Sequence, residues 1–458
     1  MNAPARFFVP DEASTAGSLR PQKIAVVGAG ISGLASAWLL GRENQVTLFE
    51  AGQYLGGHTN TVDVHLEGKT HPVDTGFLVF NDRTYPNLKA LFALLGVNSV
   101  ETEMSFAVSL ENPQLEWAGS SLATVFGQKR NLLRPQFWGM LSDILRFNRE
   151  STAWLASHPD DARSLRDFLE AGRYSSAFSD WYLLPMAAAI WSCPTEQMLA
   201  TPLSTFVRFC HNHGLLQVFN RPMWRTVKGG GREYVRKLAA QMDDIRLATP
   251  VQSVTRTVDG LQVSYLRDGM LQTETFDQVV MACHSDQSLK ILGDTASSAQ
   301  QSILRDVAYQ PNRALLHTDR NLLPRDEKLW SAWNYLSGDG QPGQQPVSVS
   351  YLINRLQPLP FKTPVVVTLN PVREPDPATV IAEFDYAHPV FDGPAIAAQQ
   401  RLAGVQGEGG IWLCGAWGGY GFHEDGLKSA LRVANGLGVR APWQGAETRA
   451  ELPALAVA

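Results

Sequence analysis

Between Lys23 and Glu50 the chain carries the feature that most narrows its choice of fold. Lys23-Ile-Ala-Val-Val27 is a short apolar run, and Gly28-Ala-Gly30-Ile31-Ser32-Gly33 follows at once. Ile31, Leu34, Ala35, Trp38 and Leu39 then recur at helical spacing, before Gln45-Val-Thr-Leu-Phe49 gives a second apolar run ending in Glu50. Buried strand, glycine turn, helix and second strand make a βαβ unit, the start of a parallel sheet. A side chain at Gly28 or Gly30 would obstruct the tight turn and hold the backbone away from a diphosphate lying on the helix N-terminus formed by Ile31, Ser32 and Gly33. Glu50, 20 residues beyond Gly30, stands where a carboxylate accepts hydrogen bonds from a ribose diol. Gly338-Asp-Gly340-Gln-Pro-Gly343 has the same glycine spacing. No strand precedes it and a proline stands where a helix should begin, so it reads as a surface loop. One dinucleotide-binding unit remains.

The 458 residues suit two or three domains, or one interleaved two-domain body. With 39 Lys+Arg against 44 Asp+Glu, a net charge of −5 gives no global electrostatic basis for nucleic-acid binding. The longest apolar stretch, Ile24 to Leu40, is broken by three glycines and two serines, and no run reaches the ~20 apolar residues of a membrane span. Pro10, Asp11 and Glu12 interrupt the start of the chain, so no continuous apolar leader forms. Four cysteines, at 193, 210, 283 and 414, are too few and too scattered for a disulfide scaffold. The expectation is a reduced, cytoplasmic protein.

Further motifs extend the glycine turn. Gly56-Gly57-His58 follows Glu50, Val73-Asp74-Thr75-Gly76-Phe77 comes next, and Ile411-Trp-Leu-Cys-Gly415 reads as a strand ending in glycine. Asp425-Gly426 opens a helix with Leu427, Ala430, Leu431, Ala434 and Leu437 on one face. With these the chain resembles the flavin-containing amine oxidase superfamily. That resemblance implies noncovalent FAD, held by Gly28, Gly30, Ile31, Ser32, Gly33, Glu50, Gly56, Gly57, His58, Thr75, Gly76 and Phe77, with Val251 at the adenine. Gly415, Asp425, Gly426 and Leu427 would complete the set, the last helix offering its N-terminal N–H groups to the diphosphate or the flavin N1/O2 edge.

Longer blocks are similar to the flavoprotein half of plant-type cyclopropane fatty acid synthases and to stand-alone bacterial NAD/FAD-binding oxidoreductases of the same group. They include Asp74 to Asn87, Met104 to Val108, Pro185 to Pro194, Ala282 to Gln287, His388 to Phe391 and Gly418 to Leu427. The similarity runs from about residue 22 to 437. Two departures stand out: the residue after the glycine doublet, commonly Arg in the superfamily, is His58, and the flavin-facing lysine of several amine oxidases has only Lys228 as a candidate.

The superfamily's topology implies an α/β fold, a Rossmann-like FAD-binding domain interleaved with an α+β substrate domain. The first would be assembled from residues 22–90, 226–292 and 406–440, the second from 91–225 and 293–405, with flexible tails at 1–21 and 441–458.

Trp417, Tyr420, Phe422 and His423 cluster in sequence beside Gly415 and Asp425. By resemblance, Trp417 and Tyr420 wall the substrate side of the flavin, and His423, with an ordinary pKa of about 6.5, could transfer a proton. Ordinary core packing is the other reading. Cys210-His211-Asn212-His213 does not suggest a metal centre, because neighbours on a helix point about 100° apart. The resemblance points to an FAD-dependent oxidoreductase acting on an unsaturated or methylene-modified lipid acyl chain. The alternatives are an oxygen-using amine oxidase and a non-catalytic FAD-binding partner of a lipid methyltransferase.

Phe137, Met140, Leu141, Ile144 and Leu145 lie at helical spacing with Trp138 alongside, flanked by Lys129, Arg130, Arg134, Arg146 and Arg149. Such a helix either rests at the inner membrane face or packs on the substrate domain.

Overall fold

The computed structural model describes residues 20–158, 163–191, 195–217, 221–337 and 348–445. The glycine-spaced segment 338–343, Cys193 and most of both expected tails lie outside them.

Lys23–Val27 is the central strand of a five-stranded, all-parallel sheet. Across the sheet the strands run Asp244–Arg246, Gln45–Phe49, Lys23–Val27, Gln278–Met281 and Ile411–Leu413. Parallel neighbours require crossovers, and here the chain travels far before it returns: strand partners come from residues near 25, 245, 280 and 412. In register, Val27 pairs with Phe49 on one side and Met281 on the other. Three strand ends therefore open on one edge, where an α/β sheet binds its ligand.

All ten residues of the helix Ile31–Leu40 are buried. A helix enclosed all round needs small side chains where neighbours come close, and Gly33, Ala35, Ser36 and Ala37 supply them. On the same side, Leu427, Ala430, Leu431 and Ala434 of the helix His423–Gly436 share one core with Leu34, Trp38 and Leu39. The other sheet face is covered by an antiparallel meander, Val251–Thr257, Gly260–Arg267 and Met270–Phe276. Its inward Leu261, Val263 and Tyr265 pack with Ala25, Val27 and Phe49.

The second large sheet has seven strands, in the order Val380–Pro389, Tyr309–His317, Val366–Leu369, Ser348–Leu352, Trp333–Leu336, Phe106–Leu110 and Leu115–Ala118. Trp333–Leu336 pairs in parallel with Phe106–Leu110, so two stretches more than 200 residues apart in sequence close one sheet. Helices Pro135–Ser157, Leu184–Trp191 and Leu203–Asn212 build an apolar body beside it. The α/β architecture expected from the first 50 residues is present.

In Pro135–Ser157 the apolar stripe is divided between the core and the surface, where Trp138 and Leu145 stay exposed. Phe137, Met140 and Phe147 are fully buried, and Leu141 and Ile144 pack against the same cores. Arg146 is occupied by Asp143 (2.8 Å), the carbonyl of Gly172 (2.7 Å) and the ring of Tyr174 (3.9 Å). Among the described residues no helix is long and apolar enough to cross a membrane.

Candidate cofactor and substrate site

The sheet edge delivers Gly28, Glu50 and Ala282 to one place. Gly28 takes φ +101°, and a Cβ on Gly33 would lie 1.8 Å from the Gly28 carbonyl oxygen, so only glycine closes the turn. Gly30 differs. Its φ of −71° and ψ of −177° suit any residue, and a Cβ there would meet nothing within 4 Å. What glycine preserves at position 30 is the space in front of the helix. The helix has neither a side-chain cap nor an acidic residue in its first turn, so its positive end is left for an anion at Ile31, Ser32 and Gly33.

The Glu50 carboxylate accepts the N–H groups of Ala29 (2.8 Å) and Gly52 (2.7 Å), which fixes it at the mouth of the turn. Thr249 N–H donates to Glu50 O and Ala248 N–H to Gly52 O, both at 2.8 Å, so Val251 starts its strand beside this acid. Gly56 donates to Ala29 O (2.8 Å) and bridges Gly30. A Cβ on Gly57 would stand 3.2 Å from Gly30 Cα. The doublet is thus drawn onto the turn by close backbone approach.

His58 carries the chain onward. Its carbonyl accepts Phe77 N–H at 2.8 Å and would lie 2.2 Å from a Cβ on Gly76. Thr75 Oγ1 donates to Asn60 O (3.0 Å) and meets Tyr386 OH at 2.8 Å. The His58 ring sits 5.0 Å from Tyr386, 5.2 Å from His388 and 6.3 Å from His284. Burial, reinforced by the neighbouring histidines, holds its pKa well below the usual value. His388, desolvated and beside His284, falls to about 4.

At the other end of the chain, Gly415 N–H donates to Ser429 Oγ (2.8 Å), and a Cβ on Gly415 would lie 2.3 Å from Trp417 Nε1. Asp425 closes its own helix by accepting Phe422 N–H (3.0 Å). A Cβ on Gly426 would stand 2.7 Å from Ile31 Cγ2 and 2.8 Å from Ser32 Oγ. Two helix N-termini therefore meet side by side, with Leu427 buried behind them.

Trp417 is buried in the core beneath the sheet, its carbonyl accepting Gln399 Nε2 at 2.8 Å. Tyr420 leans on Phe209 with ring centres 5.6 Å apart, and burial raises its hydroxyl to about 12. His423 is stacked on Phe77 at 3.7 Å, and its Nε2 lies 2.8 Å from Thr59 Oγ1 and 3.2 Å from Tyr234 OH. Burial lowers its pKa to about 3. The proton-transfer role read for His423 gives way to a packing one, since a neutral ring bonded on one side and stacked on the other is part of the wall. Lys228 does not join the site. It is exposed at the start of the turn Lys228-Gly-Gly-Gly231, which wraps Asp74 through Gly231 N–H (2.9 Å).

Among the described residues, His58 Nε2, Trp417 Nε1 and Tyr420 OH are buried without a hydrogen-bond partner. Each such group costs about 1–3 kcal/mol. The open space at Gly30, the fixed acid Glu50 and the two convergent helix ends fit a large polar cofactor of dinucleotide type, with the unpaired His58 Nε2 on the segment that follows the Gly56-Gly57 doublet. Sequence reasoning missed Thr59, Tyr234 and Tyr386, which lock this wall, and gave His284 and His388 no role. The blocks around these two histidines were the only signal, since the rings come together from positions 58, 284 and 388.

A family model described as flavin containing amine oxidoreductase matches residues 31–437. The chain is 29% identical over 187 residues to a carotenoid phi-ring synthase of Chlorobaculum tepidum, covering 37% of this chain and 28% of that protein. To a carotenoid phi-ring synthase of Streptomyces griseus it is 27% identical over 314 residues, covering 62% and 57% respectively. Both matches span less than two thirds of those relatives. Of solved structures, a CLA-producing fatty acid isomerase from P. acnes superposes with TM-score 0.65 at 13% identity over 92% of this chain and 100% of that one. Cyclohexylamine oxidase from Brevibacterium oxydans IH-35A gives 0.60 at 15% identity over 91% and 100%. These two establish the shared fold. A match running from residue 31 to residue 437 makes this protein a member of the flavin containing amine oxidoreductase family.

Proposed function

We propose that the flavin is noncovalently bound FAD and that the substrate is the hydrocarbon part of a lipid, an unsaturated or methylene-modified acyl chain. When bound, the flavin supplies two-electron exchange with a C–H or C=C unit. Gly28, Gly30, Gly56 and Gly57 would admit the diphosphate, with Glu50 at the ribose and Val251 beside the adenine. The facing N-termini at Ile31 and Gly426 would supply positive partial charge. Tyr420 would face the ring system, where its unpaired O–H group gains a partner, while Trp417 stays in the core beneath the sheet.

One observation carries the substrate class. The wall beyond Tyr420 is apolar and aromatic: Phe209 stacks with Phe422 at 5.2 Å and meets Trp191 at 4.5 Å, within a cluster containing Leu184, Met186 and Phe206. The two acids nearest in sequence are spent on helix ends. Glu424 accepts Asn87 Nδ2 (2.7 Å) and Leu88 N–H (2.9 Å), and Asp425 accepts Phe422 N–H. Neither carboxylate is left to hold an ammonium group, whereas an acyl chain needs only apolar surface and exclusion of water. Sequence relatives named for carotenoid chemistry support a substrate that is the hydrocarbon part of a lipid.

The test compares lipid extracts of cells with and without the protein by mass spectrometry. A gain or loss of two hydrogens in an acyl species is expected. Identical acyl profiles, with a change confined to amines, would overturn the reading.

A further inference from the structure

The helical body turns one apolar face to solvent. Leu122 (79% exposed), Leu132 (47%), Leu133 (87%), Trp138 (50%) and Leu145 (63%) come from the helical turn Leu122–Val125, the 3-10 turn Lys129–Leu133 and the helix Pro135–Ser157. The structure joins them. Phe126 N–H donates to Leu122 O (3.1 Å), the Phe126 ring lies 5.1 Å from Trp138, and the Trp138 indole N–H donates to Leu132 O (3.0 Å). Leu145 follows two turns along the stripe of Trp138. Scattered exposed leucines are ordinary, but a contiguous patch with a tryptophan signals contact with something apolar.

Its charge is equally one-sided. From Trp117 to Ser142 the chain has no Asp or Glu and carries Lys129, Arg130 and Arg134, within a protein of net charge −5. Arg130 and Arg134 both donate to the carbonyl of Gln114, at 2.7 and 3.1 Å, so two guanidinium groups are held together. Neither has a carboxylate partner among the described residues. Because Leu132 already satisfies the Trp138 N–H, the indole can leave water without stranding a donor.

We propose that this face docks on an anionic phospholipid bilayer, with Leu132, Leu133 and Trp138 entering the interface while Lys129, Arg130 and Arg134 meet lipid phosphates. Of the apolar positions that helical periodicity singles out, Leu145, with Trp138 alongside, belongs to this face, whereas Phe137 and Met140 point inward. Phe137 lies 5.8 Å from Phe126 and 6.2 Å from Trp117, and Trp117 lies 6.0 Å from Tyr182. Aromatic packing thus runs from the docking face toward the cluster that includes Tyr420 and Phe422. The inference stands apart from the acyl reading, because vesicle binding is measured without turnover.

The experiment is flotation of the full-length holoprotein with phosphatidylcholine vesicles, either pure or containing about one third phosphatidylglycerol. Binding to the anionic vesicles alone, weakened by salt, is expected. The double variant Leu132→Ser/Leu133→Ser should bind about tenfold more weakly with unchanged flavin content and melting temperature. A polarity-sensitive dye on Leu133→Cys should shift to the blue on anionic vesicles. The same dye on Val258→Cys, whose parent residue is fully exposed on the meander, should not. Failure of the parent protein to float, or equal flotation of the double variant, would overturn the proposal. So would a dimer that the double variant splits, which would make this face a protein interface.

Discussion

His423 lies flat against Phe77, ring centres 3.7 Å apart, with its Nε2 hydrogen-bonded to Thr59. Phe77 follows Gly76 near the start of the chain and His423 opens the last helix, so the contact clamps the two ends of the cofactor site together. A ring held this way, with its pKa lowered to about 3 by burial, stays neutral at every working pH.

His423→Asn should therefore cost stability, about 1–2 kcal/mol from the lost stack and hydrogen bond, without changing the shape of the kcat pH profile. Thermal melts and initial rates from pH 5.5 to 9 check this. Loss of an acid limb in the variant would restore His423 as a proton carrier.

Three glycines of the cradle should separate folding from binding. Gly33→Ala, with its Cβ 1.8 Å from the Gly28 carbonyl, should fail to yield soluble protein. Gly30→Ala meets nothing within 4 Å in an allowed conformation, and should fold with a parental apoprotein melting temperature while binding flavin at least about tenfold more weakly. Gly426→Ala forces the two helix ends apart and should lose flavin together with stability. Parental flavin affinity in Gly30→Ala would show that the diphosphate lies elsewhere.

How legible this site was from sequence depended on how local each part is. Lys23 to Glu50 is one βαβ unit whose glycines, helix period and terminal acid lie within 28 residues, so the succession of strand, turn, helix and strand could be read directly. The wall around His58 is assembled from strands that pair only after folding, and Tyr386 or His388 in isolation looks like any residue of an alternating strand. The helix Pro135–Ser157 shows the opposite failure. Its periodicity is real, but period alone cannot say whether an apolar stripe meets lipid or core, and Phe137 and Met140 are enclosed.

Acid should destabilise the protein steeply. Burial lowers His213, His317 and His388 to about 4 and His423 to about 3. Unfolding frees each to take a proton near its ordinary pKa, so their contribution is full above about pH 6.5 and is lost as pH falls from there toward 4. At pH 5.5 each costs about 1.4 kcal/mol, roughly 5.5 kcal/mol for the four. Asp74, raised to about 6 by burial, acts in the opposite sense, its contribution being full below about 3.8 and lost as pH rises through 6. Asp180, Glu424 and Asp425, also raised by burial, act with Asp74, while buried His58 and His284, also lowered, act with the four histidines. Urea midpoints should drop sharply between pH 7.5 and 5.5, and a flat profile would contradict the neutral, buried histidines.

The central claim, a flavin whose reaction partner is an acyl chain, is tested most directly by anaerobic titration of the purified yellow protein with phospholipid bearing unsaturated or cyclopropane chains. Spectra should be recorded alongside a matched titration with polyamines. The account predicts loss of the oxidised-flavin absorbance with the lipid and none with the amines. Bleaching by the amines while the lipid leaves the spectrum unchanged would contradict it.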